Sequence, residues 1–450
     1  MNDPMDISIF LHEWQHQTIV DEKGAPIPIT LSKSDSILSD KLSNGGFLHV
    51  QDLKSGLNIQ TTSYVGRLQL GPLQLHIRPK IEHLPLLSLF RYAYGLNKLH
   101  LFSSAVYHTE ESGIVELLVI QLLAEIKTLM QRGLSKRYVD QCRYLSRPRG
   151  HLDIPRLAMD SFRQDSRIPC KIHPRLLDIP HNQCLRASLA LAACLTIDKQ
   201  LAFQCRQLSS QLAVKVSEKR LSKVFFDRVD RQHGRLLRHY EPAIIIGKLL
   251  AQSSGILLDS STGEQSMPGF LLDMNRLYQS VLGRFLRENL SEFEVVEEHS
   301  LKGMFLYQPG FNPRRRRAPL PRPDFILRKG ARTLVILDAK YRDLWEHALP
   351  REMLYQLGIY ALAHPQVKGS TILYPTMNSS AEESRITIYE PVSGKRMSEV
   401  CLRPLYLPEL VKWIDAPQGL HTERGRHRFA VQMVLGDETV SNIRMLRLAL

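Results

Sequence analysis

The sequence predicts an α/β chain, α+β overall, in three regions: an N-terminal β-rich module over residues 1–110, a helical middle region over 111–262 and a C-terminal α/β domain over 263–450. Three observations predict it. Apolar and polar residues alternate in Gly66-Arg67-Leu68-Gln69-Leu70 and again in Leu73-Gln74-Leu75-His76-Ile77 around the turn Gly71-Pro72, the period of half-buried strands. From Gly113 to about Leu250 the pattern becomes helical, as in Ile114 to Leu123 and Leu185 to Ala192. Beyond the polar stretch Asp259–Ser266, which marks a boundary, the order of elements is helix, three strands, helix, strand. That last set comprises a helix from Asp273 to Leu290, a hairpin near residue 330, a helix around Gln356 and a strand at Thr371–Tyr374, with Arg385–Tyr389 extending the sheet. No internal repeat is visible.

The hairpin carries the chemistry. Pro323-Asp324-Phe325-Ile326-Leu327 and Leu334-Val335-Ile336-Leu337-Asp338-Ala339-Lys340 are apolar strands joined by the turn-prone Lys329-Gly330-Ala331-Arg332. Folding about Ala331 sets Asp324 opposite Asp338. Strand alternation then puts Lys340 on the face of Asp338. Two carboxylates at one end of a sheet suit Mg²⁺, which keeps several waters and readily takes a phosphate oxygen. Asp324 and Asp338, with the Ala339 carbonyl, are the expected metal ligands. Lys340 then sits where an attacking water or a developing phosphorane charge would be. Read alone, such a hairpin is more often a solvated sheet edge.

Charge changes that balance. Between Leu301 and Arg351 there are twelve Lys or Arg against four Asp or Glu, eight of the whole chain's net +14. A surface of that sign attracts phosphodiesters. Arg314-Arg315-Arg316-Arg317 lies between Pro313 and Pro319, which argues for a loop, and with Arg322 it forms the expected DNA-binding set just ahead of Asp324. After the hairpin, Met353 to Ala363 reads as a helix with Gln356 and Tyr360 one turn apart on one face. There Gln356 holds a water or the lysine, and Tyr360 touches the phosphate.

Asp324, Asp338-Ala339-Lys340 and Gln356-x-x-x-Tyr360 resemble the PD-(D/E)xK restriction-endonuclease-like core that also bears a QxxxY helix. More closely, Asp338-Ala339-Lys340-Tyr341, Phe270 to Tyr278, Tyr64 to Gly71, His76 to Ile81 and Gly133-Leu134 with Tyr138 resemble the McrC family, the nuclease subunit of McrBC-type modification-dependent restriction systems. The resemblance is scattered over most of residues 60–380. It implies a Mg²⁺-dependent endonuclease subunit acting on double-stranded DNA, methylated or unmethylated, with an McrB-like AAA+ GTPase hexamer as partner. One departure stands out. The first core helix of the family usually carries a metal-holding glutamate, and the matching position here is Gln279.

Other features bound the function. Gly247-Lys248 lacks the upstream glycine and following hydroxyl of a phosphate-binding loop, so the chain has no nucleotide motor of that kind. The resemblance implies that the partner supplies hydrolysis and that the β-rich module docks in its ring, with Arg67, Arg78 and Lys80 as candidate contacts. His12-Glu13-Trp14-Gln15-His16 matches a zinc-protease pattern, but the alternating Ile7–Leu11 before it and the lack of an obvious third ligand favour an exposed strand end. Six cysteines without a CxxC pair support neither a zinc knuckle nor a disulfide framework. No signal-like start and no long apolar segment is present, which points to a cytoplasmic protein without a membrane span. Two further readings remain open: a RecB-like repair exonuclease without a GTPase, and a basic DNA-binding adaptor whose nuclease core has decayed.

Overall fold

The computed structural model describes residues 7–19, 32–53, 56–81, 86–95, 114–159, 167–254, 269–330, 332–363, 369–417 and 419–436. The Asp259–Ser266 boundary and Ala331 lie outside them. Helices and strands mix through several sheets, as the α+β expectation requires. In the N-terminal region the strand Gly269–Asp273 joins a four-stranded sheet in the order Ile7–His12, Leu73–Arg78, Tyr64–Leu70, Gly269–Asp273. Gly66 makes this possible. Its φ is +139°, and a Cβ there would lie 2.1 Å from the Phe270 carbonyl oxygen, so a side chain would push the late strand away. The alternation found the two early strands but not the helix Lys33–Asn44, whose Ser32 and Asp35 form a reciprocal capping box.

The chain divides into two compact units. The first comprises Met1–Ile9, Gly66–Leu75 and His100–Leu271; the second comprises Phe10–Val65, His76–Leu99 and Leu272–Leu450. The first unit is built on the helices Ile114–Arg132, Pro180–Leu195, Lys199–Ala213, Lys223–Arg231 and Glu241–Ser253. Their apolar stripes bury Val119, Leu122, Ile126, Leu185, Leu189 and Leu250. Asp198 and Ser222 accept main-chain N–H groups at two of the helix starts. Five short strands between Arg137 and Leu176 interrupt the region that periodicity reads as helical. They are two to five residues long, too short to impose a recognisable period of two.

In the second unit we label the elements α1 (Met274–Asn289), β1 (Glu294–Glu297), β2 (Phe325–Lys329), β3 (Arg332–Ala339), α2 (Arg351–Ala363), β4 (Gly369–Thr376), β5 (Ser384–Tyr389) and β6 (Arg396–Tyr406). The sheet order is β1-β2-β3-β4-β6-β5, with β3/β4 and β4/β6 parallel and the remaining pairs antiparallel. Helix α1 begins at Asp273, whose carboxylate accepts from the N–H groups of Asn275 and Arg276. Gly283 lets α1 approach the sheet, because a Cβ there would meet Glu297 Oε1 at 2.4 Å and the Phe325 ring at 2.9 Å. Ile326, Ile336, Ile372, Val400, Leu357, Tyr360 and Ala361 form a shared core under α2. The hairpin register is Phe325 to Leu337, Ile326 to Ile336 and Leu327 to Val335, with a bulge between Leu327 and Arg328 that ends in Lys329 opposite Arg332. From Leu327 to Phe325 the register is centred on residue 331, and extending it one residue beyond β2 sets Asp324 against Asp338.

Candidate active site

Four elements of the second unit bring side chains to the end of the hairpin. Asp324 directly precedes β2, its carbonyl fixed by the Glu298 N–H at 2.9 Å. Its carboxylate is held from two sides: Oδ2 accepts from the Ala339 main-chain N–H at 2.7 Å, and Oδ1 accepts from Gln279 Nε2 at 3.0 Å. Asp338, near the end of β3, is only 2% exposed. Lys340 Nζ lies 2.9 Å from Asp338 Oδ2 as an ion pair. Apart from this contact with Lys340, neither Asp338 oxygen has a hydrogen-bond donor among the described residues. On α2, Gln356 Nε2 donates to the Tyr360 hydroxyl at 2.7 Å. The Tyr360 hydroxyl in turn feels the charges of Asp338, Lys340 and Asp324.

The electrostatics follow from burial. Burial, then the neighbouring Asp338, pushes the Asp324 carboxyl up to about 7, against the pull of Lys340 and the Ala339 N–H. Burial also raises Asp338, with Lys340 opposing. For Lys340, burial disfavours the ammonium, but Asp338 and then Asp324 outweigh it and the net shift is upward. Burial raises Tyr360, so its hydroxyl stays protonated and can donate. Two adjacent carboxylates with open acceptor sites in a low-dielectric corner make a centre of negative charge that one lysine only partly balances. This donor set fits a hard divalent cation that takes one or two carboxylates and fills its remaining sites with water and substrate oxygens. No group of three or more His, Cys, Asp or Glu with metal-binding geometry occurs among the described residues.

The remaining predicted residues divide. Arg314, Arg315, Arg316 and Arg317 are all exposed on the connection between β1 and β2, whereas Arg322 faces Glu298 at 3.6 Å. Arg67 belongs to the first unit, where it is half-buried, donates to the Leu195 carbonyl at 3.0 Å and lies 3.9 Å from Glu116. In the second unit, Arg78 stacks over the Phe10 ring with 4.9 Å to its centre, and Lys80 sits among Arg342, Glu13 and Asp343. His12 ends a strand and His16 begins the next, both exposed and on no helix, so the zinc-protease spacing makes no shared face. Glu13 between them departs from the exposed strand end read from the sequence. It is 3% exposed, and burial pushes its carboxyl up to about 8. Nothing local in Leu11-His12-Glu13 signals this burial, which comes from segments distant in sequence.

A family model described as "McrBC 5-methylcytosine restriction system component" matches residues 59–375. The chain belongs to the McrBC family. A refined half-complex from a tetradecameric assembly of Thermococcus gammatolerans McrB AAA+ hexamers with bound McrC contains a chain of similar fold, with a TM-score of 0.57 and 19% identity over 94% of this chain and 98% of that one. The cryo-EM structure of the Thermococcus gammatolerans McrBC complex is similar at a TM-score of 0.42 and 21% identity, over 63% of this chain and 88% of that one, too low to carry weight. No curated protein matches. The resemblance to McrC read from the sequence therefore stands. The family match runs from residue 59 through Asp324, Asp338, Lys340, Gln356 and Tyr360, so both the Tyr64–Leu70 strand and the candidate site fall within it.

Proposed function

We propose that this McrBC-family chain is the nuclease subunit of a restriction or defence complex, a Mg²⁺-dependent endodeoxyribonuclease with a PD-(D/E)xK centre. One observation carries this reading: buried Asp338 and half-buried Asp324 adjoin, with Lys340 ion-paired to Asp338. In this reading Asp324, Asp338 and the Ala339 carbonyl hold the cation. Bound there, it supplies Lewis-acid polarisation of a phosphoryl oxygen. Lys340 orients the attacking water and balances charge developing on the phosphorus oxygens, its proton retained because its pKa is raised. Gln356 aims the Tyr360 hydroxyl at the phosphate side. The Arg314–Arg317 loop holds the flanking phosphates of double-stranded DNA.

The partner in this reading is an McrB-like AAA+ GTPase hexamer that drives cleavage and whose hydrolysis this chain stimulates. The fold shared with a chain of the McrB–McrC assembly supports it. The test is co-expression with an McrB-like AAA+ protein, sizing of the complex, and cleavage of methylated and unmethylated duplex with Mg²⁺ and each nucleotide. Cleavage that needs both Mg²⁺ and nucleotide is expected. Cutting by the chain alone, with no AAA+ protein retained, would favour a repair exonuclease instead.

A further inference from the structure

The connection between β1 and β2 is far longer than a hairpin needs, and its composition is one-sided. From Lys302 to Pro323 it holds six Lys or Arg and no acid. Its base is closed, because Leu301, buried in the core, donates its N–H to the Pro321 carbonyl at 2.9 Å. Its far turn is built. Asn312 Nδ2 donates to the Arg316 carbonyl, Asn312 Oδ1 accepts the Arg316 N–H, and the Asn312 carbonyl accepts the Arg315 N–H. These bonds hold Arg315 at φ +48°, a left-handed conformation that a non-glycine residue adopts only when its surroundings impose it. The arginine run is thus a shaped turn rather than a solvated tail.

On this closed, cationic loop Met304 packs against the core, but the large apolar side chains that follow it point outward. Leu306 is 79% exposed and Phe311 74%, with Tyr307 and Phe305 also open to solvent. Large apolar groups gathered on one exposed loop mark a binding surface, and a loop with six cations and no anion of its own, of which Arg322 faces Glu298, selects a polyanion as the occupant. DNA offers what both sets need: phosphates for the arginines and flat apolar base faces for the rings. The loop also ends at Asp324, so whatever it grips is set beside the candidate site.

We propose that the loop between β1 and β2 is a base-step wedge, in which Phe311 and Tyr307, with Leu306, unstack duplex DNA while Arg314–Arg317 hold its phosphates. This rests on the nuclease reading above and adds to it the form of the substrate: a duplex opened or kinked beside the scissile phosphate. Side chains that insert between base steps bend the duplex and widen access to the backbone.

The experiment uses the full-length chain in calcium buffer without magnesium, with short duplexes carrying 2-aminopurine at successive positions. Wild type should raise the fluorescence about two- to fivefold at one position, as expected when an apolar side chain unstacks a base step. Phe311→Ala combined with Tyr307→Ala should remove the rise while affinity falls less than about tenfold, because the phosphate contacts remain. Arg315→Ala with Arg316→Ala should lower affinity and cut the salt slope by about two, yet keep the rise at saturation. All these side chains are exposed, and unchanged melting temperatures confirm folding. Binding without a rise, or a rise that survives in the aromatic variant, overturns the wedge and leaves the nuclease reading intact. No salt-dependent binding at all overturns both. If the aromatic variant instead loses capture by the AAA+ partner with DNA unstacking unchanged, the loop is a protein-docking face and the wedge is wrong.

Discussion

Gln279 Nε2 and Asp324 Oδ1 are 3.0 Å apart, so the first core helix meets the hairpin through an amide donor rather than a third carboxylate. The amide steadies Asp324 without adding negative charge. Gln279→Glu replaces a hydrogen bond worth about 1 kcal/mol with a like-charge contact. The metal-free protein should melt lower, and added Mg²⁺ should raise the melting temperature more than in wild type. Melting curves with and without Mg²⁺ decide it, and an unchanged metal response would remove position 279 from the site.

Asp338→Asn keeps shape and removes one of the two charges proposed to hold the cation. Cleavage and the Mg²⁺-dependent rise in melting temperature should both disappear, while far-ultraviolet circular dichroism stays that of wild type. Wild-type cleavage by this variant would end the assignment.

Lys340→Ala separates charge balance from metal binding. Cleavage should fall at least about a hundredfold with Mg²⁺ affinity nearly unchanged, because the ammonium acts on the developing phosphorane. The variant should also be less stable, since it leaves buried Asp338 without its ion pair. Lost metal binding with intact chemistry would reverse the roles.

The hairpin could be read from sequence because its evidence is local. Apolar runs on either side of Lys329-Gly330-Ala331-Arg332 fix a register, and the register alone sets Asp324 against Asp338 and brings Lys340 alongside. The Gln356–Tyr360 bond follows as directly from helical spacing. What stayed hidden depends on contacts distant in sequence. Arg67 looks like a solvated strand residue until Leu195 and Glu116 are folded against it, and Arg322 looks free until Glu298 faces it. The joining of Gly269–Asp273 to the sheet of Tyr64–Leu70 spans some two hundred residues, and no pattern within either segment announces it.

Glu13 gives a pH signature independent of the catalytic assignment. Its carboxyl is pushed up from 4.5 to about 8 in the folded chain by burial, against the charge and main-chain N–H of Lys80, with Asp273 adding to the rise. Below pH 4.5 both folded and unfolded forms are protonated, and the group has no effect. As pH rises from 4.5 to 8 the unfolded chain releases a proton that the folded chain keeps, so stability falls through that window and levels off above it. Glu13→Gln removes the linkage. The variant should gain on wild type steadily between these limits, by up to about 3 kcal/mol near neutral pH. Urea denaturation at a series of pH values measures it, and a difference that does not vary with pH would show that Glu13 is solvated.

Docking to the AAA+ partner is tested on the intact chain. Removing everything before residue 113 does not separate a docking module from the candidate site, because Phe10–Val65 and His76–Leu99 belong to the same compact unit as Asp324 and Asp338. Such a truncation strips strands from the unit that carries the site, and lost activity would say nothing about docking. Charge reversal at exposed positions avoids this. Arg78 and Lys80 are exposed, whereas Arg67 already serves the Leu195 carbonyl and Glu116 in its own unit. If Arg78 and Lys80 contact the AAA+ partner, Arg78→Glu with Lys80→Glu should reduce stimulation of the partner's nucleotide hydrolysis at least about tenfold, since like-charge juxtaposition at an interface costs several kcal/mol. The Mg²⁺-dependent rise in melting temperature should be retained. Arg67→Ala should instead lower stability, by about 1–3 kcal/mol for a charged hydrogen bond lost from a half-buried site. Hydrolysis rates of the purified partner with each full-length variant are the measurement. Full stimulation by the double reversal would move the docking surface away from the Leu73–Arg78 strand and its end.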